Sequence, residues 1–242
     1  EQLVLVVDIG GGTSDISLIR LGPEHSQKFD RSSDLLGHSG KRIGGVDMDI
    51  KLTIYGLMKL FGRQSLAQDG KPLPGALFSD AVNIIDIHAQ ERFYAEKTYD
   101  ELLDLKDLAA EPLLLNRFIQ VYQQHLSYYL VQAAEHAKIK LADHRDILVS
   151  LTRVEPELAQ LISCEQLDQA IYQELNGIQK LISQSMLDAS SKPDCIFLTG
   201  GASAAKGIQA LLQSMLPDIP LVHGDRIRFG RTDSAEASDR PM

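Results

Sequence analysis

The sequence predicts an α/β fold, and three observations carry that prediction. Residues 4–8 and 14–19 are short strand-like runs joined by a glycine-rich turn, the pattern of a β-hairpin. The middle of the chain repeats apolar residues at helical spacing, as in Leu115, Phe118, Tyr122, Leu126 and Tyr129. Near the other end Cys195–Thr199 is uniformly apolar, as a buried strand is, and Gly200-Gly201 leads from it into a helix.

Taken in order, the first turn reads Gly10-Gly11-Gly12-Thr13, more glycine than a hairpin needs. Glycine lets a ligand approach the backbone closely, and successive amides can converge into an anion nest. Asp8 and Asp15 flank the turn. A carboxylate beside a phosphate cradle suits Mg²⁺ held through water. A plain tight turn with solvated acids fits this stretch as well. After a turn at 21–24, residues 29–36 read as a third antiparallel strand and 37–40 as a turn. Met48, Leu52, Tyr55, Met58 and Phe61 set a helix over 46–61. Gly44-Gly45 opens it, with amides left to face an anion or simply to admit a core helix.

Residues 62–75 read as a loop and 77–95 as weakly helical. The acids of 98–111 mark a solvated helix face. Pro112 suits a helix start, and one long apolar stripe predicts a single helix over 113–141. Near its end Glu135 and Lys138 share a face as a surface ion pair. A hairpin of 147–154 with 158–162 follows. Ser163 to Gln166 is a capping box, opening a helix that carries Leu167, Ile171, Leu175, Ile178, Ile182 and Met186. The strand Cys195–Thr199, a helix stopped by Pro217 and a short strand at 221–222 complete the pattern, and 226–242 reads as a polar, disordered tail.

With 242 residues the chain can bury a sizeable core. Its 33 acidic residues against 24 basic ones give a net charge of −9, which disfavours nucleic acid and anionic membranes as partners. Cys164 and Cys195 stand far apart in the sequence and suggest a reducing compartment, here the cytoplasm. No apolar run approaches the roughly 20 residues of a membrane span, and no signal peptide is visible. An opening directly in a strand, without methionine, reads as a fragment.

Four blocks, at 8–15, 44–49, 135–138 and 200–203, together resemble the DnaK-type chaperones of the heat-shock-seventy family. They keep that family's order and compatible spacing over about 3–223, nearest to its divergent bacterial members. The resemblance implies an actin-like (ribonuclease H-like) ATPase lobe, the second lobe of a nucleotide-binding domain. Its core would be 1–43 with 170–225, and 44–169 an outer insert of helices and a hairpin. The cofactors implied are ATP or ADP and Mg²⁺. Asp8 would orient metal-bound water, and Gly10, Gly11, Gly12 and Thr13 would contact phosphates, with Thr13 and Asp15 near the attacking water. Gly44, Gly45 and Asp47 would form the helix start; Glu135 and Lys138, with the loop Gly200, Gly201 and Ala202, would hold the nucleoside.

The family's arginines that flank the base are replaced by Ile139 and Ala204, an acid by Val46 and a serine by Ala142. The partners implied are the first lobe, outside this sequence, and co-chaperones or a client protein in a stress response. The intact protein would hydrolyse ATP slowly to drive a conformational switch, the fragment alone being inactive. Two other readings stay open: a degenerate nucleotide-sensing or docking module, and another superfamily member such as a sugar kinase. The 135–138 block and the Gly-Gly helix start favour the chaperone branch.

Overall fold

The computed structural model describes residues 1–27, 29–187 and 192–224; the tail expected at 226–242 lies outside them. The first hairpin forms as its alternation predicts. Strand β1 (Gln2–Ile9) pairs antiparallel with β2 (Ser14–Leu21), in register from Gln2 opposite Leu21 to Ile9 opposite Ser14. After the short helix α1 (Pro23–Ser26), β3 (Leu35–Lys41) pairs antiparallel with β2. The chain then turns helical through α2 (Gly45–Leu52), α3 (Ala76–Val82), α4 (Ile87–Phe93), α5 (Glu96–Leu108), α6 (Pro112–Gln123) and α7 (Ser127–Leu141). A separate antiparallel hairpin follows, β4 (Asp146–Ser150) with β5 (Ala159–Ser163). Helices α8 (Cys164–Ala170) and α9 (Tyr172–Ser185) lead back to β6 (Cys195–Thr199), α10 (Lys206–Met215) and β7 (Leu221–His223). The sheet order is β3-β2-β1-β6-β7, and β6 runs parallel to both β1 and β7.

One face of this sheet is closed by the strand period of two. Leu5, Val7 and Ile9 lie buried beside Ile16, Leu18, Ile196 and Leu198. Helix α9 packs across β2 and β3. Ser39 Oγ donates to Leu181 O at 2.8 Å, and Ser185 Oγ donates to Ile16 O at 3.0 Å. Among the helices, Phe78 stacks on Phe118 with centroids 4.4 Å apart, and Phe93 lies 5.5 Å from Phe118. All three phenylalanines are fully buried, and truncating one to alanine would cost about 3–5 kcal/mol. No helix among the described residues is long and apolar enough to cross a membrane.

Four elements depart from the sequence expectations, each for a tertiary reason. The third strand lies at 35–41, not 29–36, so Gly37 and Gly40 sit inside a strand rather than in a turn. A Cβ on Gly37 would run into the Ser185 carbonyl, so glycine there serves the close approach of α9. The helix expected over 46–61 changes pitch after Leu52, becoming a π turn over Thr53–Leu57 and a 3₁₀ turn over Met58–Phe61. Thr53 Oγ1 donates to Asp49 O at 2.7 Å just there, competing with the helical amide. The single helix expected over 113–141 is two, broken where His125 takes a φ of +52° and stacks on Tyr94 at 4.3 Å. The helix after the capping box also breaks, at Ile171, where φ is −97° and ψ is 14°.

Replacing Gly37 with alanine is expected to destabilise the fold by about 1–3 kcal/mol, because the new methyl forces α9 off the sheet. Urea denaturation of the G37A variant measures this; an unchanged midpoint would contradict it.

Candidate functional site

The site begins at the carboxyl ends of β1 and β6, where open α/β sheets bind ligands. Gly10 N donates to Thr13 O at 2.9 Å and closes the turn between β1 and β2. The loop carbonyls are then claimed from inside. Gly45 N donates to Gly10 O at 2.9 Å, and Val46 N donates to Gly11 O at 2.8 Å. The described residues contain no cis peptide bond, and in a planar trans peptide the N–H points away from its own C=O. The Gly10 carbonyl shares a peptide plane with the Gly11 amide, and the Gly11 carbonyl with the Gly12 amide. Holding both carbonyls against α2 therefore aims both amides outward. The amides of Gly11, Gly12 and Thr13 donate to no acceptor among the described residues, and all three residues are exposed. The loop therefore carries, at an exposed turn, three amides without an internal partner among the described residues.

Only glycine allows the clasp. A Cβ on Gly44 would collide with the Gly11 carbonyl and come within 2.5 Å of Gly12 N. Gly44 N donates to Asp47 Oδ2 at 2.8 Å, which caps α2. The amides of Gly44 and Gly45 are thus occupied inside the chain, which of the two readings left open by the sequence fits the entry into a core helix better than amides facing an anion. They hold the phosphate-loop candidate instead of being part of it.

The remaining candidates gather around this loop. Asp8 and Asp15 face each other across the β1–β2 ladder, and both are exposed. Gly200 has a φ of +83°, which favours glycine, and a Cβ there would lie 2.6 Å from Asp8 Oδ1. Gly201–Ala204 is one 3₁₀ turn, held by Ser203 Oγ donating to Gly200 O at 2.7 Å. A Cβ on Gly45 would meet Lys138 Nζ at 3.1 Å and Ala202 Cβ at 3.3 Å. Residues from all four sequence blocks thus approach one another.

Lys138 and Glu135 do not behave as a surface pair. Glu135 is exposed, but Lys138 is buried, with Nζ 2.7 Å from Asp49 Oδ1 and donating to Gly45 O at 3.0 Å. The contact at Asp49 Oδ1 lies off the hydrogen-bond direction, so that oxygen is ion-paired without a well-formed hydrogen bond. Burial raises the Asp49 carboxyl to about 6; Lys138 opposes the rise, and the negative charges of Glu135 and Asp47 add to it. Asp49 belongs to the 44–49 block that the sequence singles out, but the sequence assigns it no partner; its burial is signalled only by its place between Met48 and Leu52 in α2.

No group of three or more His, Cys, Asp or Glu side chains among the described residues could hold a metal ion directly. A cavity of about 520 Å³ lies elsewhere, lined by Ser17, Ile19, Leu21, Arg31 and His38, and includes none of the loop residues.

No family model matches the chain. The chain is similar to the chaperone protein DnaK of Mycoplasmoides gallisepticum (strain R(low / passage 15 / clone 2)), at 24% identity over 229 residues. The match takes in 90% of this chain and 29% of that protein, so the chain spans less than a third of its relative's length. The similarity supports a relationship to the heat-shock-seventy type of chaperone. The mixed architecture with a five-stranded sheet is compatible with a lobe of an actin-like ATPase.

The raised Asp49 value has a consequence for stability. The folded state holds the proton more tightly than the unfolded chain, whose value is near 3.8, so the contribution is full below that pH and is lost as pH rises to about 6. Asp49→Asn should remove this decline. Urea denaturation across that window should show the stability of the native chain falling relative to that of D49N as pH rises; a constant difference would contradict the assignment.

Proposed function

We propose that this chain is the second lobe of a heat-shock-seventy-type nucleotide-binding domain and holds half of a Mg-ATP site. The observation that carries the reading is the set of Gly11, Gly12 and Thr13 amides without an acceptor among the described residues, the first two turned outward because the Gly10 and Gly11 carbonyls are pinned behind the loop. Neighbouring N–H groups of this kind suit the oxygens of a phosphate chain. Asp8 suits magnesium held through water: its carboxylate is exposed at the loop's mouth, beside Gly200. When bound, the ion would neutralise phosphate charge. Thr13 and Asp15 stand at the same rim and would orient the attacking water. Glu135 and the Gly200–Ala202 loop would contact the nucleoside.

Phosphoryl transfer is almost entirely positioning and charge stabilisation, so one jaw of a cleft does not complete it. In this reading the other jaw is the first lobe. The intact protein binds and slowly hydrolyses ATP in the cytoplasm, and co-chaperones or a client protein read out its conformation. The core of the lobe would be 1–43 with 170–225, and 44–169 its outer insert. One observation favours a second reading, a nucleotide sensor with weak turnover. Ile139 is 57% exposed, and with Ala204 it stands where the resemblance places base-flanking arginines.

Calorimetry with Mg-ATP on the intact protein tests the proposal. Binding is expected, and Asp8→Ala should weaken it about tenfold or more, the loss of a charge-assisted contact, whereas Thr13→Ala keeps its amide and should lower turnover more than affinity. Absence of binding in the unmodified protein, or unchanged affinity in the Asp8→Ala variant, would sink it. The isolated chain should bind ATP more weakly than millimolar.

A further inference from the structure

We infer that Lys138, held by Asp49, is a positioning residue that acts through two peptide units on the Gly12 amide, from inside the lobe rather than on a nucleoside. The inference rests on the phosphate-loop reading above and deepens it. The ammonium donates to Gly45 O at 3.0 Å. That carbonyl shares its peptide plane with the Val46 amide, which donates to Gly11 O at 2.8 Å. The Gly11 carbonyl in turn shares its plane with the Gly12 amide, one of the outward donors. Each link is a hydrogen bond followed by a conjugated amide, and such chains polarise cooperatively at low dielectric. A positive charge at the buried end therefore makes Gly12 N–H a better donor at the exposed end. It also fixes the direction of that N–H, because each peptide is planar.

Burial makes the relay effective. Lys138 is 8% exposed and Asp49 is 2% exposed, so little water screens the charge. A lone buried ammonium would be costly, and a cation beside the first turn of α2 opposes the helix dipole. The Asp49 carboxylate, 2.7 Å away, offsets both costs and keeps the ammonium on Gly45 O. Lys138 comes from α7 and Asp49 from α2, so the strut also ties α7 to the loop. With its ammonium engaged on two internal partners, Lys138 is turned away from the nucleoside role that the resemblance gives it.

Amide NMR on the ¹⁵N-labelled chain tests this. The variants are Lys138→Met, the double change Asp49→Leu with Lys138→Met, and Arg117→Met as control. Arg117 forms a two-pronged ion pair with Glu155 away from the loop, so its loss reports a merely structural effect. A buried ion pair replaced by apolar residues of similar volume is often neutral or stabilising, so the double variant keeps the fold even if K138M alone does not. The expected result is an upfield move of the Val46 and Gly12 amide protons in K138M or the double variant, with both unmoved in R117M. Titration with Mg-ATP to tens of millimolar, enough to reach the weak binding of a half-site, should then perturb Gly12 several-fold less than in the unmodified chain. A folded variant with Val46 and Gly12 unmoved would overturn the relay, and so would failure of the double variant to fold. If the intact protein binds no Mg-ATP in calorimetry, the nucleotide reading fails, while the ligand-free shifts still decide the relay.

Discussion

Two backbone hydrogen bonds organise the site: Gly45 N to Gly10 O and Val46 N to Gly11 O. Each would ordinarily contribute only about 1 kcal/mol to stability. Their importance is directional. They face two peptide planes inward on the carbonyl side, so the amide side must face out. The loop then presents donors without needing a ligand to organise it, which is the kind of preorganisation that electrostatic stabilisation depends on.

The rest of the molecule makes those two bonds possible. β1 and β2 bring the loop to the end of the sheet, and the parallel pairing of β1 with β6 brings Gly200 against Asp8. Met48 and Leu52, both fully buried, seat α2 so that its first turn meets the loop. Three glycines remove side chains where backbones cross: Gly44 against Gly11, Gly200 against Ile9, and Gly37 against Ser185. Lys138 and Asp49 supply a charged brace beneath α2, where an apolar pair would pack as well but carry no field to the loop.

Local chemistry was readable in the sequence, and long-range chemistry was not. The hairpin, its glycine turn and the β6 strand were legible because period-two alternation and consecutive glycines are local signals. β3 was misplaced because Gly37 and Gly40 signal a turn locally, while their reason is α9, far along the chain. The breaks at His125 and Ile171 carry no proline or glycine; packing imposes them. The candidate loop and the Gly200 turn were proposed from residue type, but the acceptor of the Gly45 amide was not, because it lies on the distant β1–β2 turn, while the Gly44 amide is taken locally by Asp47. The pairing of Asp49 escaped for the same reason: nothing in its neighbourhood announces Lys138 as its partner.

The most direct test of the central claim is a crystal structure of the intact protein with magnesium and a non-hydrolysable ATP analogue. The account predicts phosphate oxygens at hydrogen-bond distance, about 2.7–3.2 Å, from the amides of Gly11, Gly12 and Thr13, with the Gly45 and Val46 bonds to the loop intact. Phosphates bound elsewhere, for instance against Arg31 and His38 in the cavity on β2 and β3, would contradict it.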